Sequence, residues 1–323
     1  MGISQNAPED IDQQSVLSDQ RKSTFTSALK WPANLSLAVV KTARGTRLAE
    51  RSHSGPLYVQ KPFYPEGPDH AHIYLLHPPG GVVSGDSLDI TINVKSKARA
   101  LFTTPGAGRI YRARPDLTPQ VQTVTITLDQ QAVTEWLPLE TIVYPASRGV
   151  LRTSIKLPED NSASFLGWEI TCLGLPASQL PFSNGQLQQS FELWRKDKPV
   201  FIEKLRLDAQ DQSLIAGRAG FQGHSVSALM VAGPFADRSQ PEISQIKRQT
   251  HSEVALNKLV DELRDKIIDS QCVIGVTVKS QFIVIRLLAN SSQQARVQLT
   301  QAWQVLRPHL TGQLACEPRV WSC

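Results

Sequence analysis

The fold of this chain is decided by residues 73–112, which are IYLLHPPGGVVSGDSLDITINVKSKARALFTTPGAGRIYR. An apolar strand opens the stretch, and two clusters of glycine and proline, at 77–86 and 103–109, flank a second strand. From Leu88 to Val94 apolar residues occupy every second position, with polar residues between them, which is the pattern of a half-buried strand. Because glycine permits positive φ and proline fixes φ, the two clusters predict tightly specified corners of a β scaffold.

The composition of the 323-residue chain is that of an ordinary soluble globular protein, with 41% hydrophobic and 20% charged residues. Its net charge of +5 is scattered along the chain, which argues against a nucleic-acid partner. It predicts a solvated surface or a face for an acidic protein partner. No apolar run approaches the roughly 20 residues of a membrane helix, and no secretory signal is visible. The four cysteines form no CxxC pair, so we expect neither disulfides nor a zinc site, in a cytoplasmic protein.

Strand signals dominate the chain as far as about residue 240. Residues 1–30 are polar and are predicted to form a disordered tail, so that order begins near Trp31. Short alternating runs separated by Gly, Pro, Asn and Asp then follow one another, a pattern typical of antiparallel or meandering β structure. No strict repeat length emerges, so periodicity by itself does not support a regular solenoid.

The C-terminal third changes to a helix–strand–strand–helix pattern over about residues 245–310. Apolar residues in 256–267 fall on one helical face, and Thr250 with Glu253 predicts a capping box before them. Two strands are predicted at 273–278 and 282–288.

A second helix is predicted to begin at the capping box of Ser291 and Gln294 and to stop at Pro308. The predicted fold class is therefore mainly β with two C-terminal α-helices, and the length of the chain leaves open one large β-rich domain over residues 31–323 or two smaller ones.

Common enzymatic motifs are missing from the sequence. It contains no P-loop or dinucleotide fingerprint, and no nucleophile elbow of the G-x-S-x-G type. The glycine clusters are followed by strands, so they offer no helix N-terminus to an anion. The acids Asp86, Glu140, Glu169 and Glu203 leave open an alternative, a β-rich carbohydrate-active hydrolase that uses paired carboxylates. A simple ligand-binding β domain is a further alternative.

Histidines and acids raise the question of metal binding. His70 and His72 are two residues apart, so on a strand they share a face, and His77 lies in the turn beyond. Imidazoles and carboxylates suit nickel or zinc, but a fourth ligand for a closed site is not apparent, and surface histidines are the alternative. Glu169 and Glu203 lie in apolar strands, where an ionised carboxylate must be paired, hydrated or on the outer face.

A series of ordered motifs carries a resemblance to a known family. In residues 74–112 they are Tyr74-Leu75-Leu76-His77-Pro78-Pro79-Gly80-Gly81, Gly85-Asp86, Thr104-Pro105-Gly106-Ala107 and Tyr111-Arg112. Elsewhere they are Pro62-Phe63-Tyr64-Pro65-Glu66, Glu135-Trp136-Leu137-Pro138, Cys172-Leu173-Gly174, Phe182-Ser183-Asn184-Gly185, Leu306-Arg307-Pro308-His309-Leu310-Thr311-Gly312 and Pro318-Arg319-Val320-Trp321. From about residue 31 to its end, the chain thereby resembles the urease accessory protein D family (UreD, called UreH in some bacteria).

The resemblance implies a non-enzymatic maturation factor for urease. Members of the family have an irregular, helical stacking of β-strands and two helices. They bind apo-urease and recruit UreF and, through UreF, the GTPase UreG. The assembly delivers nickel to urease, in current models through a water-filled internal tunnel, so the resemblance implies nickel in transit and no tightly bound cofactor.

The resemblance also implies which residues line that tunnel. Asp86, Glu169 and Glu203 match acidic positions of the family by local context, and we expect them to offer weak oxygen ligands to passing nickel. His70, His72 and His77 are weaker candidates for contact with the metal.

Overall fold

A computed structural model describes residues 30–235 and 245–322 of the chain. The predicted disordered tail, residues 1–30, lies outside the described residues except for Lys30. No helix within the described residues is long and apolar enough to cross a membrane.

The described residues form 18 strands and three α-helices. The strands are β1 (Pro32–Thr42), β2 (Gly45–Ser54), β3 (Tyr58–Val59), β4 (Ala71–Leu76), β5 (Ser87–Val94), β6 (Arg99–Thr103), β7 (Gly108–Ile110), β8 (Gln120–Leu128), β9 (Val133–Trp136), β10 (Thr141–Val143), β11 (Ser147–Leu157), β12 (Ser164–Leu175), β13 (Leu180–Pro181), β14 (Gly185–Arg195), β15 (Lys198–Asp208), β16 (Val226–Gly233), β17 (Val273–Lys279) and β18 (Phe282–Ala289). The helices are α1 (Gln212–Ile215), α2 (Gln245–Lys266) and α3 (Ser292–Thr311), with 3₁₀ turns at Pro176–Ser178 and Arg319–Ser322.

The strands form two sheets between which the chain alternates. The small sheet has seven strands in the order β15-β14-β11-β8-β5-β1-β2. The large sheet has eleven, with the path β17-β18-β16-β12-β9-β6-β4-β3 and with β7, β10 and β13 beside it. From β4 to β14 the chain passes back and forth between the sheets, which stacks the strands in an irregular helical arrangement. The structure therefore confirms a mainly β fold with this irregular stacking and with C-terminal helices.

The expectation of antiparallel or meandering strands is wrong for the body of the protein. In the small sheet β1, β5, β8, β11 and β14 pair in parallel, and in the large sheet β4, β6, β9 and β12 do so. Because successive strands enter different sheets, a glycine or proline corner turns the chain from one sheet to the other instead of closing a hairpin. Antiparallel pairs occur toward the sheet ends, as in β1–β2, β14–β15 and β16–β18.

The first corner of the stretch 73–112 connects the large sheet with the small one. Gly80 and Gly85 adopt positive φ there, as the glycine cluster predicts. Gly81 leaves room for the ring of Tyr111, because a Cβ atom at this position would lie 2.3 Å from that ring. The sequence thus specifies both the backbone and the close packing of this corner.

Two hydrophobic cores lie on opposite faces of the large sheet. Phe165 and Leu173 of β12 pack between the two sheets, whereas Trp168 and Ile170 of the same strand pack toward α2 and α3. Strands buried on both faces explain why the sequence is apolar at consecutive positions here. The protein therefore has three layers, which are the small sheet, the large sheet and the two long helices.

The ends of the helices differ in part from the sequence prediction. Ser291 caps α3 by accepting a hydrogen bond from the Gln293 backbone N–H, as predicted, but the Gln294 side chain donates to Gln271 and does not complete the predicted capping box. Pro308 does not end the helix, which continues to Thr311 and is capped by Gly312 with φ of 72°. A proline so close to the C-terminus removes one backbone hydrogen bond without preventing the last turn. Thr250 lies inside α2, so the predicted capping box at that position is wrong.

Candidate functional site

The two glycine–proline corners line a cavity between the sheets, here called the corner cavity. Its volume is about 270 Å³, and its walls include His77, Gly80 and residues 104–109 from the two corners. Inward side chains of the small sheet complete it, among them Leu88, Ile90, Val124 and Leu151. A mainly apolar lining with a few polar groups is typical of a site for a small ligand.

A larger space, here called the edge cavity, lies between the far ends of the same two sheets. Its volume is about 440 Å³, and Glu203 of β15 and Arg286 of β18 are among its lining residues. Glu169 and Gln189 line both the edge cavity and the corner cavity. Because the same two side chains border both spaces, the cavities adjoin at these residues.

Glu169 lies at this junction without a cationic partner among the described residues. The Thr153 hydroxyl donates a hydrogen bond to Oε1, and Gln189 Nε2 donates one to Oε2 at 2.9 Å. Burial raises the pKa of Glu169, and the two hydrogen bonds only partly offset that rise. A buried carboxylate that has hydrogen bonds but no countercharge favours the approach of a cation.

Glu203 faces the same interior but carries its own countercharge. Arg286 Nε lies 3.0 and 3.1 Å from the two carboxylate oxygens, and Nη2 lies 2.7 Å from Oε2. Inward neighbours of Glu203 on β15, such as Phe201 and Leu207, belong to the core between the sheets. The outer-face alternative is therefore wrong for both Glu169 and Glu203. Since Glu203 is bound to Arg286, the two acids do not form the pair of free carboxylates that the hydrolase alternative requires.

Asp86 and His77 lie at the first corner. The Val83 backbone N–H donates to Asp86 Oδ2 at 2.9 Å, so one oxygen of this carboxylate stabilises the turn. The other oxygen is buried without a hydrogen-bond partner among the described residues. Burial lowers the pKa of His77, and the charge of Asp86 partly opposes that effect. His77 lines the corner cavity, whereas the described residues that line it do not include Asp86.

His70 and His72 share a face, as predicted, with ring centroids 5.9 Å apart. That face is directed toward α3, because Ala71 and Ile73 beside them belong to the core between the sheets. Both side chains are fully buried, so the surface alternative is wrong. The two histidines therefore lie on the opposite side of the large sheet from the cavities.

The histidines belong to a buried ion cluster that sequence reasoning did not identify. His70 Nε2 lies 3.0 Å from Glu135 Oε2, and His72 Nε2 lies 2.7 Å from Glu66 Oε1. Arg307 of α3 contacts both acids, with Nη2 2.7 Å from Glu66 Oε2 and Nε 2.9 Å from Glu135 Oε1. Burial alone would raise the pKa of Glu135, but contacts with His70 and Arg307 lower it to about 2. The cluster attaches α3 to the large sheet.

The signal for this cluster was present in the sequence, divided among three motifs. Glu66 ends the Pro62–Glu66 motif, Glu135 begins the Glu135–Pro138 motif, and Arg307 lies in the Leu306–Gly312 motif. The structure brings one charged side chain from each motif into the same buried cluster. Only the fold supplies that convergence, since 241 residues separate Glu66 from Arg307.

The candidate metal ligands are spread along the interior. Within the described residues no group of three or more His, Cys, Asp or Glu side chains could hold a metal ion. Glu169 and Glu203 line one cavity, and Glu169 and His77 line the other. Such an arrangement suits weak successive contacts better than a closed site.

These features define a class of protein, a two-sheet β scaffold with helices on one face and acid-bordered cavities inside.

A family model described as UreD urease accessory protein matches residues 32–322. A urease accessory protein UreD of Marinomonas sp. (strain MWYL1) is 44% identical over 91% of each chain. Its counterpart in Psychromonas ingrahamii is 42% identical over 90% of this chain and 94% of its own. A protein named urease accessory protein UreD 2 from Brucella anthropi is 37% identical over 90% of this chain and 98% of its own.

The chain belongs to the UreD urease accessory protein family. Membership implies a role in urease maturation, and it confirms the resemblance that the sequence motifs carry.

Proposed function

We propose that the protein is a non-enzymatic scaffold that binds apo-urease and passes nickel to it through the two inter-sheet cavities. One observation carries the nickel path: Glu169 borders both cavities and has no cationic partner among the described residues. A carboxylate at that junction attracts a divalent cation, and its few oxygen ligands let the cation leave again.

The candidate residues have different parts in this proposal. Glu169 is the central contact, and Glu203 is the contact in the edge cavity. His77 is the contact in the corner cavity, and the charge of Asp86 lies close enough to raise the pKa of His77 against the effect of burial. His70 and His72 remain the weakest candidates, because both face away from the cavities and each contacts a buried carboxylate.

The partners in this proposal are apo-urease, UreF and, through UreF, UreG. Support comes from family membership, since the relatives are named urease accessory proteins. A non-catalytic role fits that name, and GTP hydrolysis then belongs to UreG.

The substitution E169Q tests the nickel path. Glutamine keeps the size of the side chain and one acceptor oxygen but removes the charge, so we expect less nickel in urease, by about tenfold, with partner binding intact. The matched control is E192Q, which removes a carboxylate from β14, the strand of Gln189, where Glu192 contacts Lys204 and Trp194.

Urease is co-expressed with its accessory proteins, and its nickel content and activity are measured beside co-purification of the complex. Normal nickel loading with E169Q would refute the role of Glu169. Normal urease activation in cells that lack this protein would refute the proposed function as a whole.

A further inference from the structure

The ion pair of Glu203 and Arg286 connects the two sheets. Glu203 belongs to β15, the terminal strand of the small sheet, and Arg286 belongs to β18 of the large sheet. The guanidinium spans both carboxylate oxygens at 2.7 to 3.1 Å. The pair therefore links a strand of the small sheet to a strand of the large sheet across the interior.

The pair lies where the edge cavity meets solvent. Both residues line the cavity, yet the side chains remain 37% exposed for Glu203 and 48% exposed for Arg286. A cation that enters or leaves the cavity at this edge therefore encounters the pair.

Arg286 and a metal cation compete for the same carboxylate. The guanidinium N–H groups occupy both oxygens of Glu203, and an ion-pair contact of this bidentate kind is stronger than a single one. A divalent cation that binds Glu203 therefore competes with the guanidinium for the same two oxygens. The Arg286 guanidinium carbon also lies 5.7 Å from the centroid of the Phe201 ring, and this cation–π contact helps to hold the side chain in the closed position.

We propose that Arg286 is a gate residue, whose guanidinium closes the edge cavity by occupying Glu203 and opens it when a divalent cation displaces it. This inference rests on the proposed nickel path and adds its regulation. The gate keeps the mouth of the cavity neutral when no cation is delivered, so that Glu203 does not collect free cations from solution.

Nickel binding by the purified full-length protein tests the gate directly. The variant R286Q frees the carboxylate, so we expect Ni²⁺ to bind about threefold to tenfold more tightly than in the unmodified protein. The double variant E203Q/R286Q should lose that gain. R286K, which keeps the charge without the bidentate geometry, should fall between R286Q and the unmodified protein.

The matched control is K196Q, which breaks the exposed pair of Lys196 and Glu159, 3.0 Å apart, without touching either cavity. It removes the same charge from the protein and should leave Ni²⁺ affinity unchanged. Isothermal titration calorimetry gives the affinities, and thermal unfolding shows that each variant is folded.

The outcomes separate the gate from the proposed function. Equal Ni²⁺ affinity in R286Q and the unmodified protein overturns the gate, as does a gain that persists in E203Q/R286Q. Because this readout involves no urease, it stands even if urease activation proves independent of the protein. If activation depends on the protein while R286Q binds Ni²⁺ no more tightly, the gate alone is refuted.

Discussion

Glu169 combines burial with the lack of a countercharge among the described residues, and both bear on how its ionisation affects folding. The net effect is a raised pKa in the folded protein. A raised pKa contributes stability that is fully present below the pKa of the unfolded chain and is lost as the pH rises through the folded pKa. The buried carboxyl group of Glu169 therefore makes the fold less stable as the pH rises above the pKa of the unfolded chain.

The substitution E169Q should accordingly stabilise the protein at high pH. We expect its free energy of unfolding to exceed that of the unmodified protein by about 1 kcal/mol at pH 8, and the difference to vanish near pH 4. Urea unfolding at both pH values measures this, with E192Q as the control. A difference that does not depend on pH would show that the pKa of Glu169 is the same in the folded and the unfolded protein, which would contradict the raised pKa.

The sequence predicts the strands that carry the candidate acids better than it predicts what those acids contact. The positions of Glu169 and Glu203 in apolar strands are visible in the sequence, because strand alternation is local. Whether these acids face inward depends on which side of each strand meets the second sheet, and that is a property of the assembled fold. Arg286 had no local signal at all, since its partner lies 83 residues away.

At the scale of elements, α3 depends on the buried ion cluster for its attachment to the large sheet. Arg307 contacts Glu66 and Glu135, and the indole N–H of Trp303 donates to Glu135 Oε1 at 2.6 Å. Removal of the guanidinium leaves two buried carboxylates without their arginine partner. This lowers the free energy of unfolding far more than replacement of the whole cluster by apolar residues would.

The substitution R307M should therefore destabilise the protein by about 3–5 kcal/mol, measured by urea unfolding at pH 7. The control is R264M, which breaks the exposed i,i+3 pair of Arg264 and Asp261 on α2 and should cost less than about 1 kcal/mol. Equal effects of the two substitutions would contradict a structural role for the cluster.

The depressed pKa of Glu135 gives the same cluster a pH signature. A depressed pKa contributes stability that is present above the pKa of the unfolded chain, 4.5 for an unperturbed glutamate, and is lost as the pH falls through the folded value of about 2. The loss of stability on acidification should therefore continue from about pH 4.5 to about pH 2.

The helices and strands were predictable to the extent that their signals are local. The apolar face of α3 and its Ser291 cap follow from spacing and residue type. Pro308 was expected to stop α3, but in the last turn the cost of a proline is small beside the packing of Leu310. Parallel pairing was missed for a different reason, because alternation within a strand says nothing about which sheet the next strand enters.

At the scale of the whole molecule, the division into three layers separates the buried ion cluster from the cavities of the proposed nickel path. The ion cluster lies between the large sheet and α3, whereas the two cavities lie between the sheets. Alternate residues of β12 contribute to each side: Trp168 packs toward the helices, and Glu169 borders the cavities. Adjacent residues of a single strand thus contact the helices on one face of the large sheet and the cavities on the other.

The same alternation in β14 provides a test of the passage itself. Gln189 faces inward and borders both cavities, whereas its neighbour Gln188 is exposed on the other face of the strand. A tryptophan at position 189 would fill the junction and leave Glu169 in place. We therefore expect Q189W to lower the nickel content of co-expressed urease by about tenfold and Q188W to leave it unchanged, with both variants still bound to urease.

Q189W also removes the hydrogen bond that Gln189 donates to Glu169, so Q189A is needed beside it. If the junction acts as an open path, Q189A loses that bond without obstruction and should retain most of its nickel delivery. If Q189A and Q189W are equally defective, the role of Gln189 is to orient Glu169, and passage through the junction is refuted. If both deliver nickel normally while E169Q does not, nickel reaches Glu169 by another route, and the cavities provide a binding site instead of a path.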